Sequence, residues 1–154
     1  MSFGEYYADE EMSFGTPLLR AVEGEKEADT PRVILLPEVV NMVRNFLKFD
    51  DLQSSGHSFF TLRDEDGRFF LNYLALPLDD RDYEDEAVIF WVNLHREKVL
   101  EAIAKFGDDP KLLRKYEWVA RYHQSLCSLE GLPQRLKMPS QYVGTSTRIS
   151  RAMR

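Results

Sequence analysis

The sequence predicts a small α+β fold, in which three helices pack on an antiparallel β-meander. Short segments rich in Phe, Tyr, Val and Thr follow one another with little chain between them, which favours antiparallel neighbours. Helical periodicity lies on both sides of them, and the apolar fraction of 44% is ordinary for a globular protein. The strands are expected near 57–63, 68–76 and 87–94, and the helices near 37–51, 96–106 and 110–129.

The chain before the meander predicts a short strand followed by the first helix. The apolar run 33–36 has the length of a strand, and Pro37 suits the first position of a helix because its missing N–H is not needed there. Apolar residues then recur at the spacing of one helical face. They are Val39, Val40, Val43, Phe46 and Leu47.

The first two strands of the meander form a predicted hairpin. Asp66 and Gly67 suit a two-residue type I′ turn, because both central residues of that turn need positive φ. In that register Phe60 faces Tyr73 across the ladder. Both faces of the hairpin are apolar, so we expect both to be covered.

The third strand is predicted at 87–94, the densest apolar run of the chain. Ile89, Phe90 and Trp91 are therefore expected in the core. A helix over 96–106 follows it, with its apolar residues on one face.

The last helix has the clearest sequence signals. Asp109 suits its N-cap, Pro110 its first residue, and Gly131 lies just beyond its end. An apolar stripe at helical spacing runs along it. The stripe consists of Leu112, Tyr116, Val119, His123 and Leu126.

Charge is distributed unevenly and divides the chain into three parts. Residues 1–31 carry eight acidic against two basic side chains, whereas residues 132–154 carry five basic side chains and no acidic one. We therefore expect an acidic N-terminal arm (1–31), a globular core (32–131) and a basic C-terminal arm (132–154). Folding does not require such polarity, so it indicates partners.

The two arms carry the candidate partner-binding residues. Met-Ser-Phe-Gly occurs at 1–4 and again at 12–15, by chance or as a repeated anchor, and aromatic side chains among carboxylates suit a basic groove. The acidic-arm anchors are Phe3, Tyr6, Tyr7 and Phe14. The basic arm is a late strand, a solubilising tail, or a segment that contacts phosphates or an acidic partner. Its cations are Arg135, Lys137, Arg148, Arg151 and Arg154.

Two clusters have residue types that bind metals, but neither has a metal-site pattern. Residues 79–86 hold six carboxylates yet lack the glycine of an EF-hand loop, which favours a solvated connection over a docking site for a basic partner. His123 and Cys127 lie four residues apart on the apolar stripe, which indicates a core histidine beside a buried thiol. No catalytic residues, metal or cofactor are therefore assigned, and no nucleotide-binding motif is present.

The cysteine content and the N-terminus indicate a cytoplasmic protein. Cys127 is the only cysteine, so no internal disulfide can form. The N-terminus lacks the basic and apolar regions of a signal peptide, and no stretch approaches the roughly 18 apolar residues of a membrane span. We expect no membrane partner.

The sequence favours a non-catalytic interaction or assembly protein that uses its charged arms. The acidic arm of one copy can meet the basic arm of the next, which is a head-to-tail form of self-association. Small size, few motifs and charged arms are common in accessory and adaptor proteins, including those of viruses. One alternative is a nucleic-acid-binding accessory factor that uses its C-terminal arm, and another is a small enzyme with a site around His57, His95 or 79–86.

Overall fold

The computed structural model describes residues 5–8, 13–27, 30–42, 61–75, 86–143 and 149–151. It confirms the α+β class, with short antiparallel strands and four helices among these residues. The chain divides into two compact units: Met1–Leu71 with Arg151–Arg154, and Asn72–Ser150. The division into two arms and a core, with bounds at residues 31 and 131, stays a prediction.

The first unit begins with a hairpin and a helix inside the predicted acidic arm. Strand β1 (Tyr6–Ala8) pairs antiparallel with β2 (Ser13–Gly15), so that Tyr7 lies opposite Phe14 in the register. Helix α1 (Thr16–Glu27) follows directly. The second Met-Ser-Phe-Gly copy thus contributes a paired strand of this hairpin.

A small sheet forms the centre of the first unit. Strand β5 (Phe69–Leu71) lies between β3 (Ile34–Leu35) and β4 (Thr61–Arg63), and both pairings are antiparallel. Strand β6 (Ser150–Arg151) is the last strand along the described part of the chain. Helix α2 (37–42) begins at Pro37, as predicted. One hydrophobic cluster of this unit consists of the buried residues Leu35, Val39 and Val40, with Leu36, Phe69 and Leu71 packed against them.

The β4–β5 hairpin turns at Gly67, as predicted, but through a longer loop. The N–H of Gly67 donates to the carbonyl of Asp64 (3.0 Å), and the N–H of Asp64 donates to the carbonyl of Arg68 (3.0 Å). Gly67 has φ +82°. The loop therefore has three residues and a glycine in the left-handed region, which differs from the two-residue type I′ turn.

The longer loop shifts the strand register by one residue from the predicted one. Leu62 lies opposite Phe70 and not opposite Leu71. A shift of one residue exchanges the two faces of a strand. Leu62 and Phe70 consequently share the core face, where both are almost completely buried.

Arg32 fixes this loop to the chain that precedes β3. Its side chain is 6% exposed, and its guanidinium group donates to the carboxylates of Asp64 and Asp66. Burial alone raises the pKa of Asp66. The hydrogen bonds from Arg32 and from the N–H of Arg68, together with the two positive charges, outweigh burial and lower that pKa below its ordinary value.

Residues 87–94 are helical, so the third strand predicted there is wrong. They lie in the first turns of α3 (Glu86–Phe106), and no Gly or Pro interrupts the chain over these 21 residues. A short apolar run by itself does not distinguish a strand from a buried helix. The buried residues of α3 recur at helical spacing and are Val88, Val92, Val99 and Ile103.

Two residues that the strand assignment placed in the core lie on the surface of α3. Phe90 is 58% exposed and Trp91 is 54% exposed. On a helix Phe90 points away from Val88 and Val92 and Trp91 lies at the edge of their face, whereas a strand covered on both faces would have buried both residues. The prediction that they are core residues is therefore wrong.

Helix α4 (Pro110–Leu129) has the predicted bounds and caps, and it packs against α3. The carboxylate of Asp109 accepts from the N–H groups of Lys111 (2.9 Å) and Leu112 (3.1 Å). At the other end Gly131 has φ +66°, and the N–H of Leu132 donates to the carbonyl of Cys127 (2.8 Å). This is a Schellman motif, which ends the helix.

The first half of the predicted basic arm is folded onto the second unit. Short 3-10 turns occur at Gln134–Leu136 and Ser140–Tyr142. Leu132, Leu136 and Met138 are buried. This segment therefore contributes to the core of the second unit as well as carrying charge.

The loop geometry predicts opposite effects for two glycine-to-alanine changes in the first unit. Gly67→Ala should lower the free energy of unfolding by about 1–2 kcal/mol, because an L-residue is strained at positive φ. The nearest atom to the added Cβ is 3.5 Å away, so the loss comes from the backbone. Urea unfolding measures it.

The matched change is Gly24→Ala, in the interior of α1. Its Cβ would meet Leu36 at an ordinary 3.9 Å, so the gain in helix propensity should raise the free energy of unfolding by up to about 1 kcal/mol. Equal effects of the two changes would contradict the left-handed conformation of Gly67.

Candidate functional site

Three side chains of the second unit form a continuous hydrogen-bond chain, which we call the relay: Tyr73, His95 and His123. The Tyr73 hydroxyl lies 3.1 Å from Nε2 of His95, and Nδ1 of His95 lies 2.9 Å from Nδ1 of His123. Nε2 of His123 lies 2.7 Å from the carbonyl oxygen of Leu136. The relay runs from Tyr73, which is 42% exposed, to His123, which is completely buried.

The two imidazoles of the relay meet edge to edge. Their planes are within 5° of parallel and their centroids are 5.1 Å apart. The N–H and the lone pair of an imidazole lie in the ring plane, so the short distance between the two Nδ1 atoms is a hydrogen bond within a shared plane.

The direction of every hydrogen bond in the relay follows from its buried end. The Leu136 carbonyl only accepts, so Nε2 of His123 carries a proton and its Nδ1, in the neutral ring, accepts. His95 then carries its proton on Nδ1 and accepts at Nε2 from the Tyr73 hydroxyl. All four ring nitrogens of the two histidines are then hydrogen-bonded while both rings are neutral.

The turn that carries Tyr73 is held by Tyr122 of α4. The N–H of Leu74 donates to the Tyr122 hydroxyl (3.0 Å), which in turn donates to the side-chain oxygen of Asn72. The ring of Tyr122 lies parallel to that of Trp118, with centroids 5.6 Å apart, and contacts the ring of Tyr73 at 4.7 Å. The exposed end of the relay is thereby positioned by buried aromatic packing.

At the buried end of the relay, four side chains bond the backbone of residues 136–138. The Leu136 carbonyl accepts from His123 and, at 3.7 Å, from the Cys127 thiol. Arg96 donates from Nε to the Lys137 carbonyl (2.8 Å). The side-chain oxygen of Gln124 accepts from the N–H of Met138 (3.0 Å).

Burial keeps the relay neutral at physiological pH. Desolvation, and then the neighbouring His123, lower the pKa of His95 to about 4. Desolvation also lowers the pKa of His123. The hydrogen bond to Leu136 raises this pKa, whereas the positive charge of Arg96 lowers it further. Burial raises the pKa of Tyr73 above its ordinary value and that of Cys127 to about 12.

These pKa values oppose a catalytic role for the relay near neutral pH. A general base works best with a pKa near 7, whereas His95 titrates near 4. Its hydrogen-bond donor, Tyr73, is a weaker acid than free tyrosine. Cys127 is protonated and buried, which makes it a poor nucleophile.

Sequence reasoning placed His123 and Cys127 correctly but missed the partner of His123. His123 is a buried, hydrogen-bonded core histidine beside a buried thiol, as predicted. The predicted strand 87–94 and helix 96–106 leave His95 in the connection between them. On a helix it shares the face of Val88, Val92 and Val99, at offsets of seven, three and four residues, and so faces α4.

The structure places the predicted arm residues in several separate elements. Tyr6 and Tyr7 lie in β1 and Phe14 in β2, whereas Phe3 is outside the described residues. Among the cations, Arg135 lies in the first 3-10 turn, Lys137 directly follows it and Arg151 lies in β6. The predicted site residues that also fall outside the description are His57, residues 79–85, Arg148 and Arg154.

A second feature of the same unit is an apolar stripe on the exposed side of α3, which we call the α3 stripe. It consists of Ala87, Phe90, Trp91 and Leu94, spaced at i, i+3, i+4 and i+7. The rings of Phe90 and Trp91 are in edge contact, with centroids 5.4 Å apart. Lys98, paired with Glu101 at 2.8 Å, ends the stripe on its C-terminal side.

The first unit contains a cleft of about 400 Å³ between α1, β3 and the hairpin loop. Its lining is mostly apolar and includes Gly24 and Phe69, with Asn41 and Arg68 as the polar side chains. Arg68 also lies 3.9 Å from the Asp66 carboxylate. The cleft therefore offers apolar contact but few groups that would orient a ligand.

Comparison of the chain with protein-family models, with curated proteins and with solved structures finds no match. Across the described residues, no three His, Cys, Asp or Glu side chains lie close enough to hold a metal ion. None of the described helices is both long and apolar enough to cross a membrane. The relay and the α3 stripe are the features of the described residues that bear on function.

Because the Leu136 carbonyl at the end of the relay can only accept a hydrogen bond, the relay predicts the tautomer of each histidine. At pH 7, His95 should carry its proton on Nδ1 and His123 on Nε2. Long-range ¹H–¹⁵N NMR spectra of the imidazoles measure this directly. Tyr73→Phe should leave both tautomers unchanged, because Leu136 sets them, and a proton on Nε2 of His95 would contradict the assigned direction.

Removal of the Tyr122 hydroxyl should destabilise the second unit. Tyr122→Phe leaves Asn72 and the N–H of Leu74 without this partner in a buried place, which costs about 1–3 kcal/mol of unfolding free energy. Chemical unfolding measures the loss. The matched change, Tyr116→Phe at a half-buried position of α4, should cost less than about 0.5 kcal/mol, and equal losses would oppose this role of Tyr122.

Proposed function

We propose that the protein is a non-catalytic, self-associating assembly protein, whose copies pair through the α3 stripe. The observation that carries the proposal is the exposure of Phe90 and Trp91, side by side on one helix face. Single exposed apolar side chains are normal on a surface, whereas a contiguous patch indicates a contact.

The spacing of the stripe suits a second copy of the same helix. The four positions are symmetric about their midpoint, between Phe90 and Trp91. In an antiparallel pair about a twofold axis, Phe90 of one copy lies beside Trp91 of the other. Ala87 then lies beside Leu94, so a small side chain meets a larger one in each outer layer.

The charges at the two ends of the stripe support the antiparallel direction. Glu86 precedes the stripe and Lys98 follows it, and both are exposed. Antiparallel pairing brings Glu86 of one copy and Lys98 of the other to the same end, about 4.5 Å apart along the axis. It also aligns the two helix dipoles in opposite directions.

The uneven distribution of charge along the chain also supports an interaction role. The acidic first 31 residues and the basic last 23 can add a second, electrostatic contact between copies. The stripe alone is smaller than a standard interface of roughly 800 Å² per partner. We therefore expect weak, concentration-dependent pairing.

Sedimentation equilibrium over a wide concentration range tests the proposal. The mass of the wild-type protein should rise from the 18.0 kDa of the monomer towards twice that value. Trp91→Glu should remain monomeric, because Trp91 lies next to the proposed twofold axis and two carboxylates would repel each other. Its unfolding free energy should change by less than about 1 kcal/mol, since the residue is exposed.

Charge reversal provides the matched control. A mixture of Trp91→Glu and Trp91→Lys should regain the dimer mass, which a folding defect would prevent. Val22→Glu, at an exposed apolar position of α1, should pair as the wild type does. A wild-type protein that stays at the monomer mass, or a Trp91→Glu variant that still pairs, would refute the proposal.

Salt distinguishes the stripe from the charged termini. Pairing through apolar side chains should persist at high ionic strength, whereas head-to-tail contact of the acidic and basic termini should weaken.

A further inference from the structure

We propose that the relay is an acid-sensitive latch, which holds the turn of residues 72–75 against α3 and α4 and is opened by one proton on His95. The latch is closed when Tyr73 donates to His95 and both histidines are neutral. This inference does not depend on self-association, because it concerns the face of α3 that packs against α4.

The geometry leaves one place for that proton. His123 is saturated, because its Nε2 donates to Leu136 and its Nδ1 accepts from His95. Nε2 of His95 accepts from Tyr73, which is exposed enough to exchange with water. A proton from water therefore forms its N–H bond at this nitrogen, and the Tyr73 hydroxyl turns its own proton towards solvent.

The charge that results is poorly stabilised in the closed state. Among the residues that the structure describes, the titratable and charged groups next to the histidine pair are the hydroxyls of Tyr73 and Tyr122, the thiol of Cys127 and the cation Arg96, with Lys137 beside Cys127. None of these is a carboxylate, so within the described part of the chain imidazolium meets neutral or positive neighbours. Water stabilises it better, which favours an open turn.

A second proton is excluded from the closed latch. It would place N–H groups on both Nδ1 atoms, 2.9 Å apart, and would break the bond between the rings. Two adjacent imidazolium groups would also repel each other and Arg96. The closed latch can therefore take up only one proton as the pH falls.

The direction of the pH response follows from linkage. With the turn open, His95 is in water and has an ordinary pKa of about 6.5, whereas in the closed latch its pKa is about 4. Between these values the open state binds more protons, so the closed state is favoured above pH 6.5 and loses stability as the pH falls towards 4. The opening equilibrium should rise about twentyfold between pH 7 and pH 5.

Amide hydrogen exchange of the full-length protein tests the latch. The reporters are the N–H of Leu74, bonded to Tyr122, and the N–H of Ala75, bonded to the Asn72 carbonyl. After correction for the intrinsic exchange rate, their opening constants should rise about twentyfold from pH 7 to pH 5. Amides in the middle of α4 should respond less.

His95→Gln is the matched control variant. Its side-chain oxygen can accept from Tyr73 and its amide can donate to His123, so it reproduces the neutral bonds but cannot titrate. The pH response at Leu74 and Ala75 should therefore disappear in this variant. A response equal to that of the wild type, or no response in the wild type, would overturn the proposal.

An NMR titration of the wild-type histidines gives a test that needs no variant. Nε2 of His95 should gain a proton below about pH 5, before His123 does. Protonation of His95 near its ordinary pKa, with the Leu74 amide still protected, would equally overturn the latch.

Discussion

The packing of α3 against α4 is the constraint on which the second unit depends. It buries Val92 and Val99 on one helix and Tyr122 and His123 on the other. Because His95 shares the packed face of α3, the same contact brings two imidazoles together. Another side of α3 carries the apolar stripe, on which Ala87, Phe90 and Trp91 are exposed and Leu94 is half-buried. Both functional proposals follow from this one division of a helix into two faces.

The hydrogen bonds of the relay all run in one direction, from the Tyr73 hydroxyl to the Leu136 carbonyl. The Leu136 carbonyl accepts from His123, and each later bond orients the next, up to the exposed hydroxyl of Tyr73. Such a chain costs little when it is complete and much when one member is charged or removed. It therefore stabilises one arrangement of the turn, α3 and the 134–138 segment, and the low pKa of His95 makes that arrangement sensitive to acid.

The parts of the fold that the sequence predicted are those with local signals. Asp109, Pro110 and Gly131 give the bounds of α4 because capping acts within one turn. The hairpin at Gly67 was located, but its register depends on a three-residue loop that Arg32 fixes from outside. The 87–94 run was misassigned because its residues are apolar on two helical faces, which resembles a buried strand. That error also concealed His95 and the α3 stripe.

The latch and the stripe lie on neighbouring residues and yet act independently. Leu94 belongs to the stripe and His95 to the relay, and successive residues of a helix point about 100° apart. Opening of the turn would expose His95 without altering the spacing of Phe90 and Trp91. Pairing of two copies would cover the stripe while the bond between His95 and His123 stays inside α3 and α4. The proposals thus give a helix with two apolar faces an assembly surface on one side and a titratable network on the other.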